Sequence, residues 1–310
     1  MQGGRKTRNS IIKLFRYAGY ILFRPLWCME RLVPRSRRIW IFGAWYGQKY
    51  SDNSKWLYEY VILHCPEIKA VWITKNDSVY NLLKKQEKCV FKSGSFGGIW
   101  HCLRAKYAFL SSGTLDVNAF FLNGTRQIWL WHGMPLKKIG FCDEMGVLHS
   151  KTRLFVSRVL NPYFSLSPWC TLASADFFVP FLKASFRLPE ERIWKTGLPR
   201  CDAFFAGRKE RLAAELRSKF PGAAVFVYMP TFRMTGNMDG VPFQPFSETF
   251  GFSETEFVRF LEERNIVFLY KPHFVDSAVK VHIESERFMY LSDSDFDDLY
   301  TASARKKITY

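Results

Sequence analysis

The stretch QIWLWHGMPLKKIG, from Gln127 to Gly140, contains the most informative structural pattern of the sequence. Its first residues are apolar, aromatic or β-branched, which is typical of a strand buried on both faces of a parallel sheet. The run ends at His132-Gly133, and Pro135 then favours the first turn of a helix. A helix starting there would point free N–H groups and a positive dipole end at the crevice above the sheet. The stretch therefore predicts an anion-binding strand end, although a lone histidine at a strand end is also compatible with a purely structural role.

Chain length and cysteine spacing limit the class of protein. The 310 residues are enough for two ordinary domains or one large one. The seven cysteines are an odd number, and no two lie closer than thirteen residues apart. This spacing excludes CxxC redox or zinc motifs and argues against a disulfide framework, which predicts a reducing cytoplasm.

Residues 1–38 form a basic, aromatic-rich arm. They carry ten Lys or Arg and a single acid, Glu30, and so supply about half of the net charge of +17. The apolar run from Tyr17 to Phe23 is too short to span a bilayer, which needs about 20 residues. The composition is typical of an amphipathic helix lying on an anionic membrane surface. A helix packed on the protein's own surface is the alternative, and a signal peptide is less favoured because no cleavage site follows.

Strand-like and helix-like segments alternate after the arm. The predicted strands of the first block cover 38–44, 70–74, 89–91, 106–111, 127–131 and 170–173. A second block begins near Arg192 with a predicted strand in ERIWKTGLPRCD, and it continues with predicted strands over 224–229, 266–270 and 287–291. This alternation predicts an α/β fold with doubly wound parallel sheets in two facing Rossmann-type domains. We expect the arm to be followed by domains over 39–188 and 189–310.

Polar residues close three of the predicted strands, where α/β sheets bind their ligands. Two imidazoles and several cations converging on a cleft between the domains would suit a phosphate chain and a proton transfer. These residues are His132, Lys137, Thr231, Arg233, Lys271 and His273.

Five ordered segments resemble those of the CDP-glycerol glycerophosphotransferases, the poly(glycerol phosphate) primases and polymerases of teichoic acid and capsule synthesis. The segments are FGAWYGQKYSDNSKWLYEY, WLWHGMPLKKIG, KTGLPRCD, YMPTFR and YKPHF, and the resemblance runs from about residue 39 to the end. It implies a GT-B-like pair of Rossmann-type domains, a CDP-polyol donor, and two essential histidines that map onto His132 and His273. It also implies that the first domain and its arm meet a membrane-bound acceptor while the second domain holds the nucleotide.

The resulting hypothesis is in-line attack by an acceptor hydroxyl on the β-phosphorus of CDP-glycerol or a similar CDP-polyol, with CMP leaving. His132 would be the general base and His273 would hydrogen-bond the donor phosphates, with the two roles exchangeable. Donor phosphates are expected at Lys137, Thr231, Arg233 and Lys271, and the acceptor side at Gln48, Lys49, Asp52 and Asn53. No cofactor and no metal are expected, because the acidic run Asp293, Asp295, Asp297 and Asp298 suits helix capping better than Mg²⁺ binding.

The sequence departs from the family pattern at two places. Met134 stands where the family has a threonine, which removes a hydroxyl near the expected phosphate. The sequence given ends at Tyr310, where a serine pair that would contact the donor pyrophosphate is expected to begin. We therefore expect an incomplete second domain.

Three other functions fit part of the pattern. A GT-B glycosyltransferase using a nucleotide sugar would share the architecture, and a membrane-docked remnant without catalysis would share the first domain. A nucleic-acid binder is disfavoured because the aromatic residues fall in strands and helix faces and no recognition motif is present. We expect a peripheral protein on the cytoplasmic face of the cell membrane, with no nucleic-acid partner.

Overall fold

The computed structural model describes residues 19–135, 137–143, 155, 163, 167–204, 211–230, 245–247, 251–272 and 281–291. The chain divides into two compact units, the first from Met1 to Asp202 and the second from Ala203 to Tyr310. The expected residues Thr231, Arg233 and His273, and the acidic run from Asp293 to Asp298, lie outside the described residues.

A parallel sheet of seven strands organises the first unit. The strands are β1 (Ser36–Gly43), β2 (Lys69–Thr74), β3 (Val90–Lys92), β4 (Ala105–Leu110), β5 (Arg126–Trp129), β6 (Cys170–Ala173) and β7 (Ile193–Lys195). Their order is β3-β2-β1-β4-β5-β6-β7, and every pairing is parallel. The order reverses between β1 and β4, so the ligand crevice of such a sheet lies outside the carboxyl ends of these two strands.

Helices cover both faces of this sheet, as the alternation predicts. They are α1 over 19–29, α2 (Asp52–His64), α3 (Asp77–Lys85), α4 (Phe96–Arg104) and α5 (Val179–Phe186). Side chains fix two of the starts, since Asn76 accepts from the Ser78 amide at 2.8 Å and Ser95 accepts from the Gly98 amide at 3.1 Å.

The two faces of the sheet have separate apolar cores. Ile41 packs with Cys102 of α4 and Leu182 of α5, whereas its neighbour Phe42 packs with Tyr58 of α2 on the opposite face. Adjacent strand residues are therefore buried on opposite sides, as in a doubly wound sheet. The prediction of an α/β fold with a parallel sheet is confirmed.

Helix α1 is packed against the first unit along one side. The Phe23 ring lies 5.5 Å from the Phe120 ring, and the Trp27 ring lies 5.8 Å from that of Tyr163. The Asn123 side chain donates to the Trp27 carbonyl at 2.6 Å. The described part of the arm is thus a helix anchored to the folded unit.

The other side of α1 is apolar and open to solvent. Leu22 is 80% exposed, Leu26 50% and Met29 59%. Their spacing of four and three residues places them in one stripe. Within the described part of the chain, no helix is both long and apolar enough to cross a membrane.

The helix predicted at Pro135 does not form. Gly133 has a φ of 155°, and the described residues from there to Ile139 are irregular. A short 3-10 turn follows over Gly140–Cys142. A Cβ at Gly140 would lie 2.3 Å from the Ser185 carbonyl oxygen of α5, so close packing of the loop on α5 replaces helix formation. The expected helix dipole beside Lys137 is therefore absent from the described residues.

The division between the units differs from the expected division at residue 188. Strand β7 pairs with β6, with Thr171 opposite Ile193, and so completes the first sheet. The second unit begins after Asp202. A strand pattern shows where a strand lies but does not show which sheet it joins.

The second unit has its own parallel sheet. Strands β8 (Ala224–Tyr228), β9 (Ile266–Tyr270) and β10 (Phe288–Tyr290) pair in the order β10-β9-β8, with helices α6 (Arg211–Lys219) and α7 (Glu254–Glu263). Val267 and Leu269 pack with Leu216 of α6 on one face, and Ile266 packs with Leu261 of α7 on the other. Each face of the central strand thus has its own small core.

Candidate active site around His132

His132 follows β5 at the carboxyl edge of the first sheet. The Leu130 amide still donates to the Leu110 carbonyl at 2.8 Å, so the ladder extends one residue past β5. Trp131 then takes a left-handed conformation, with a φ of 57°. Non-glycine residues seldom adopt this conformation, and it turns the chain sharply before His132. The sequence prediction of a histidine at a buried strand end is correct in position.

The imidazole of His132 is oriented from two sides. Its Nδ1 lies 3.2 Å from the carbonyl oxygen of Ser111, which can only accept a hydrogen bond. The ring stacks on Trp131 at 4.5 Å and lies 5.2 Å from the Trp45 ring. Because Nδ1 carries the hydrogen, Nε2 of the neutral ring has the free lone pair. A neutral imidazole with its lone pair on Nε2 can act as a general base through that nitrogen.

The side chain of Asn53 holds the backbone of this turn and that of Arg200 by hydrogen bonds. Its Nδ2 donates to the Trp131 carbonyl at 2.8 Å and to the Leu130 carbonyl at 3.4 Å. Its Oδ1 accepts from the Arg200 amide at 3.1 Å. Asn53 is fully buried, so these bonds form away from water.

Arg200 joins the same group of residues through its guanidinium. Nη1 donates to the His132 carbonyl at 2.9 Å and to Asp52 Oδ1 at 3.1 Å. The Asp52 side chain is 4% exposed and that of Arg200 is 19% exposed, so the ion pair is largely desolvated. A buried charge pair of this kind fixes geometry, and removal of one partner leaves the other charge uncompensated.

Asp116 holds the loops that follow β1 and β4. Its carboxylate accepts from the Tyr46 amide at 2.7 Å and from the Ser112 amide at 2.6 Å. Burial raises the pKa of Asp116 to about 6, and the backbone hydrogen bonds oppose that rise. Ser111, which orients His132, thus belongs to a loop that Asp116 fixes.

The predicted acceptor-side residues divide into two groups. Gln48 is exposed and Lys49 half-buried, whereas Asn53 is buried against the His132 turn and Asp52 is buried against Arg200. Lys137 is exposed in the irregular segment after Pro135. Met134 packs against the apolar cores.

Lys271 is the one expected donor-side residue of the second unit that the structure describes. It is half-buried directly after β9, and its amide donates to the Tyr228 carbonyl at 3.0 Å. Among the described residues, no group of three or more His, Cys, Asp or Glu is arranged to hold a metal ion.

Sequence reasoning missed Arg200, Ser111 and Asp116. Arg200 lies in the quoted segment KTGLPRCD, so the sequence shows that it belongs to a motif but does not show what it contacts. Asp116 is a single acid within an apolar stretch, which is the sequence signal for a buried and hydrogen-bonded carboxylate. The Ser111 contribution comes from its backbone carbonyl, which no residue type reveals.

Two units, each built on a parallel sheet with helices packed on both faces, are typical of the GT-B-like fold class. The profile of the family described as CDP-Glycerol:Poly(glycerophosphate) glycerophosphotransferase matches residues 26–304. The chain belongs to this family, as its sequence motifs predict.

Relatives in this family act in teichoic acid synthesis. The chain is 27% identical over 241 residues to the teichoic acid glycerol-phosphate transferase of Staphylococcus aureus (strain NCTC 8325 / PS 47), which covers 73% of this chain and 57% of the relative. It is 23% identical over 240 residues to the teichoic acid poly(glycerol phosphate) polymerase of Bacillus subtilis (strain 168), covering 74% and 31%. The match thus spans about half or less of these relatives' length.

Solved structures of the wall teichoic acid polymerase TagF share the fold. One has a TM-score of 0.59 at 20% identity and covers 94% of this chain and 72% of that one. A TagF variant soaked with CDPG for 15 minutes has a TM-score of 0.66 at 19% identity, covering 94% and 71%. At this level of identity the likeness confirms the GT-B-like fold.

Proposed function

We propose that the chain transfers glycerol phosphate, or a related polyol phosphate, from a CDP-polyol to a hydroxyl of a membrane-bound acceptor. CMP is the leaving group, and the product belongs to teichoic acid or capsular polysaccharide synthesis. The observation that carries this proposal is the orientation of His132, whose Nδ1 is held by the Ser111 carbonyl. Family membership indicates the reaction in which such a base would act, namely the transfer of a glycerol phosphate group.

In this reaction the acceptor oxygen forms a bond to the β-phosphorus of the donor, and the bond from that phosphorus to the CMP oxygen breaks. Nε2 of His132 takes the hydroxyl proton, which raises the nucleophilicity of the oxygen. Phosphoryl transfer spreads negative charge over the phosphoryl oxygens, and cations stabilise that charge. We assign this role to Lys271, Arg233 and Lys137, with Thr231 and His273 donating to the donor phosphates.

The buried members of the predicted acceptor side have an indirect role in this proposal. Asp52 and Asn53 bond to Arg200 and to the backbone beside His132, so they hold the base rather than the acceptor. Gln48 and Lys49 lie in the loop after β1 at the same carboxyl edge. We assign the direct acceptor contacts to these two residues.

We also propose that α1 docks on an anionic membrane surface at the cytoplasmic face. The exposed stripe of Leu22, Leu26 and Met29 supplies the apolar contact. The arm carries ten basic residues, of which Arg35 is bonded inside the first unit, and each of the others that lies near an anionic leaflet adds about 1 kcal/mol of attraction. One side of α1 packs on the first unit, so the membrane would meet a fixed helix.

The test measures CMP release and label transfer from CDP-glycerol to a lipid-linked glycerol phosphate acceptor. His132→Ala should lower the rate by at least about 100-fold, the usual contribution of a general base. His64→Ala, which removes an exposed histidine at the end of α2, is the matched control and should leave the rate unchanged. Near-normal CMP release by His132→Ala would exclude His132 as the base.

Donor identity and pocket formation need separate measurements. CDP-glycerol, CDP-ribitol and UDP-sugars should be compared as competitors, and preference for a UDP-sugar would favour a glycosyltransferase. Thermal stabilisation by CDP-glycerol requires a formed nucleotide pocket. The absence of any shift at millimolar donor would favour a non-catalytic, membrane-docked protein.

A further inference from the structure

A cleft of about 500 Å³ opens at the carboxyl edge of the first sheet, apart from His132. Its walls come from the ends of β2 and β3, from the start of α4, and from the loop that follows β4. Because all these strands are parallel, their carboxyl ends lie at the same edge as His132. A ligand bound at the carboxyl edge of the first sheet could therefore extend into this cleft.

Two lysines give this cleft its charge. Lys75 lies directly after β2 and donates from Nζ to the Leu115 carbonyl at 2.5 Å. Lys92 ends β3, and its Nζ contacts the Lys75 carbonyl at 3.4 Å and the exposed carboxylate of Asp77. An ammonium has three N–H donors, so each lysine retains capacity for a further acceptor.

The remaining polar groups of the cleft are largely satisfied within the protein. Ser95 donates to the Lys92 carbonyl at 2.8 Å and accepts from the Gly98 amide at 3.1 Å. Asn118 donates to the Ser93 carbonyl at 2.9 Å and accepts from the Phe120 amide at 3.2 Å. The lysines are thus the groups best suited to select a ligand, and they select an anion.

Apolar residues line much of the rest of the cleft. They include Leu115, Val117 and Ala119 of the loop after β4. A free inorganic anion would leave this lining uncovered, whereas an organic phosphate would place its carbon skeleton there. The combination of two ammoniums with an apolar wall therefore fits a phosphate ester of an organic molecule.

The cleft and His132 share one supporting loop. Leu115, which accepts from Lys75, adjoins Asp116, and the Asp116 carboxylate accepts from the Ser112 amide next to the carbonyl that orients His132. The Gly47 carbonyl also accepts from the Lys75 amide at 2.8 Å, which ties the cleft to the loop after β1. An occupant of the cleft thus lies beside the structure that positions the base.

We propose that this cleft binds a phosphodiester of the acceptor chain, with Lys75 and Lys92 pairing with the phosphate. The proposal rests on the proposed function for the identity of the polyol. The occupied cleft would hold an internal glycerol phosphate repeat, while the free end of the acceptor chain extends along the carboxyl edge of the sheet toward His132. Acceptors that carry more than one repeat would then bind more tightly than a single glycerol phosphate.

The test measures equilibrium binding of synthetic tri(glycerol phosphate) to the full chain, without donor. Lys75→Met and Lys92→Met should each raise Kd by about tenfold, which is the scale of one charge-assisted hydrogen bond. Lys75→Arg keeps the charge and should retain most of the affinity. Lys85→Met removes an exposed lysine of α3 outside the cleft and should bind as the wild type does.

Three results would overturn the proposal. They are unchanged Kd values in both methionine variants, the same loss in Lys85→Met, and binding of inorganic phosphate as tight as that of the trimer. Vesicles containing phosphatidylglycerol distinguish a lipid headgroup from the polymer, and competition by the headgroup alone would assign the cleft to lipid.

Turnover separates this proposal from the proposed function. If the variants transfer label with an unchanged acceptor KM, the cleft assignment fails and the transferase stands. If the trimer binds through both lysines but no transfer is detected, the cleft assignment stands and the transferase fails.

Discussion

Arg200 donates a hydrogen bond to the backbone carbonyl of His132 at 2.9 Å, although the two residues are 68 positions apart in the chain. The same Nη1 also contacts Asp52, so one guanidinium fixes the turn at the end of β5 against the start of α2. The position of the His132 imidazole therefore depends on the hydrogen bond that Arg200 donates to the backbone carbonyl of the same residue.

Replacement of Arg200 by lysine should impair catalysis more than folding. A lysine keeps the charge beside Asp52, but its ammonium rotates freely and lacks the planar group that holds the two N–H bonds of Nη1 in fixed directions. A misplaced base commonly lowers the rate by about 100-fold. We expect a fall of about this size in CMP release, with a urea unfolding midpoint close to that of the wild type. Arg192→Lys, at an exposed arginine, is the control, and an equal fall in both variants would contradict the assignment.

Replacement of Asn53 by alanine should destabilise the first unit. The change leaves the Trp131 carbonyl and the Arg200 amide without their side-chain partner in a buried setting. Each lost partner of this kind costs about 1–3 kcal/mol. Equilibrium urea unfolding measures the loss, and Asn81→Ala on the exposed side of α3 gives the reference. A difference of less than about 0.5 kcal/mol between the two variants, the usual range for surface changes, would show that Asn53 does not support the turn.

Asp116 should make stability depend on pH. Burial raises its pKa from 3.8 in the unfolded chain to about 6 in the folded protein. The folded state therefore binds the proton more tightly, so the stabilisation is complete below pH 3.8 and is lost as pH rises through 6. A difference of about two pKa units corresponds to about 3 kcal/mol.

Asp116→Asn should remove this part of the pH dependence. The measurement is the free energy of unfolding in urea at several pH values between 4 and 7. Burial also raises the pKa of Glu30 to about 7, so Glu30 adds its own pH dependence to the free energy of unfolding. The contribution of Asp116 is therefore the difference between the wild-type and Asp116→Asn profiles. Asp77→Asn at an exposed carboxylate should retain the wild-type profile. An Asp116→Asn profile parallel to that of the wild type would contradict the prediction.

The exposed stripe of α1 should control membrane association. Leu22→Ser combined with Leu26→Ser removes two apolar contacts, each worth about 1.5–3 kcal/mol when fully buried. Sedimentation with vesicles containing phosphatidylglycerol should show at least a tenfold weaker partition than for the wild type. Leu63→Ser on α2, another highly exposed leucine, is the control. Equal partition of the stripe variant and the control would argue against docking through α1.

Several features of this protein were predictable from local sequence. The buried strand before His132, the alternation of strands and helices, and the family motifs each depend on residues a few positions apart. Side-chain periodicity reports burial directly, because strands and helices each place neighbouring residues at fixed angles. The amphipathic character of α1 was predictable for the same reason.

Other features depended on distant contacts. Pro135 favours a helix locally, but the loop that follows it is irregular and packs on α5 so closely that a Cβ at Gly140 would meet the Ser185 carbonyl oxygen. The membership of β7 in the first sheet was decided by its pairing with β6. In both cases tertiary packing outweighed the local signal.

Residue type and short-range spacing were enough to predict the α/β class, the family, and a histidine at the end of a buried strand. Tertiary structure alone decided how that histidine is held. Asn53 and Arg200 are 147 positions apart, and they meet only after the parallel strands align their carboxyl ends at one edge. Hydrogen bonds to backbone amides and carbonyls have no residue-type signature, so the partners become visible only when the sheet has brought them together.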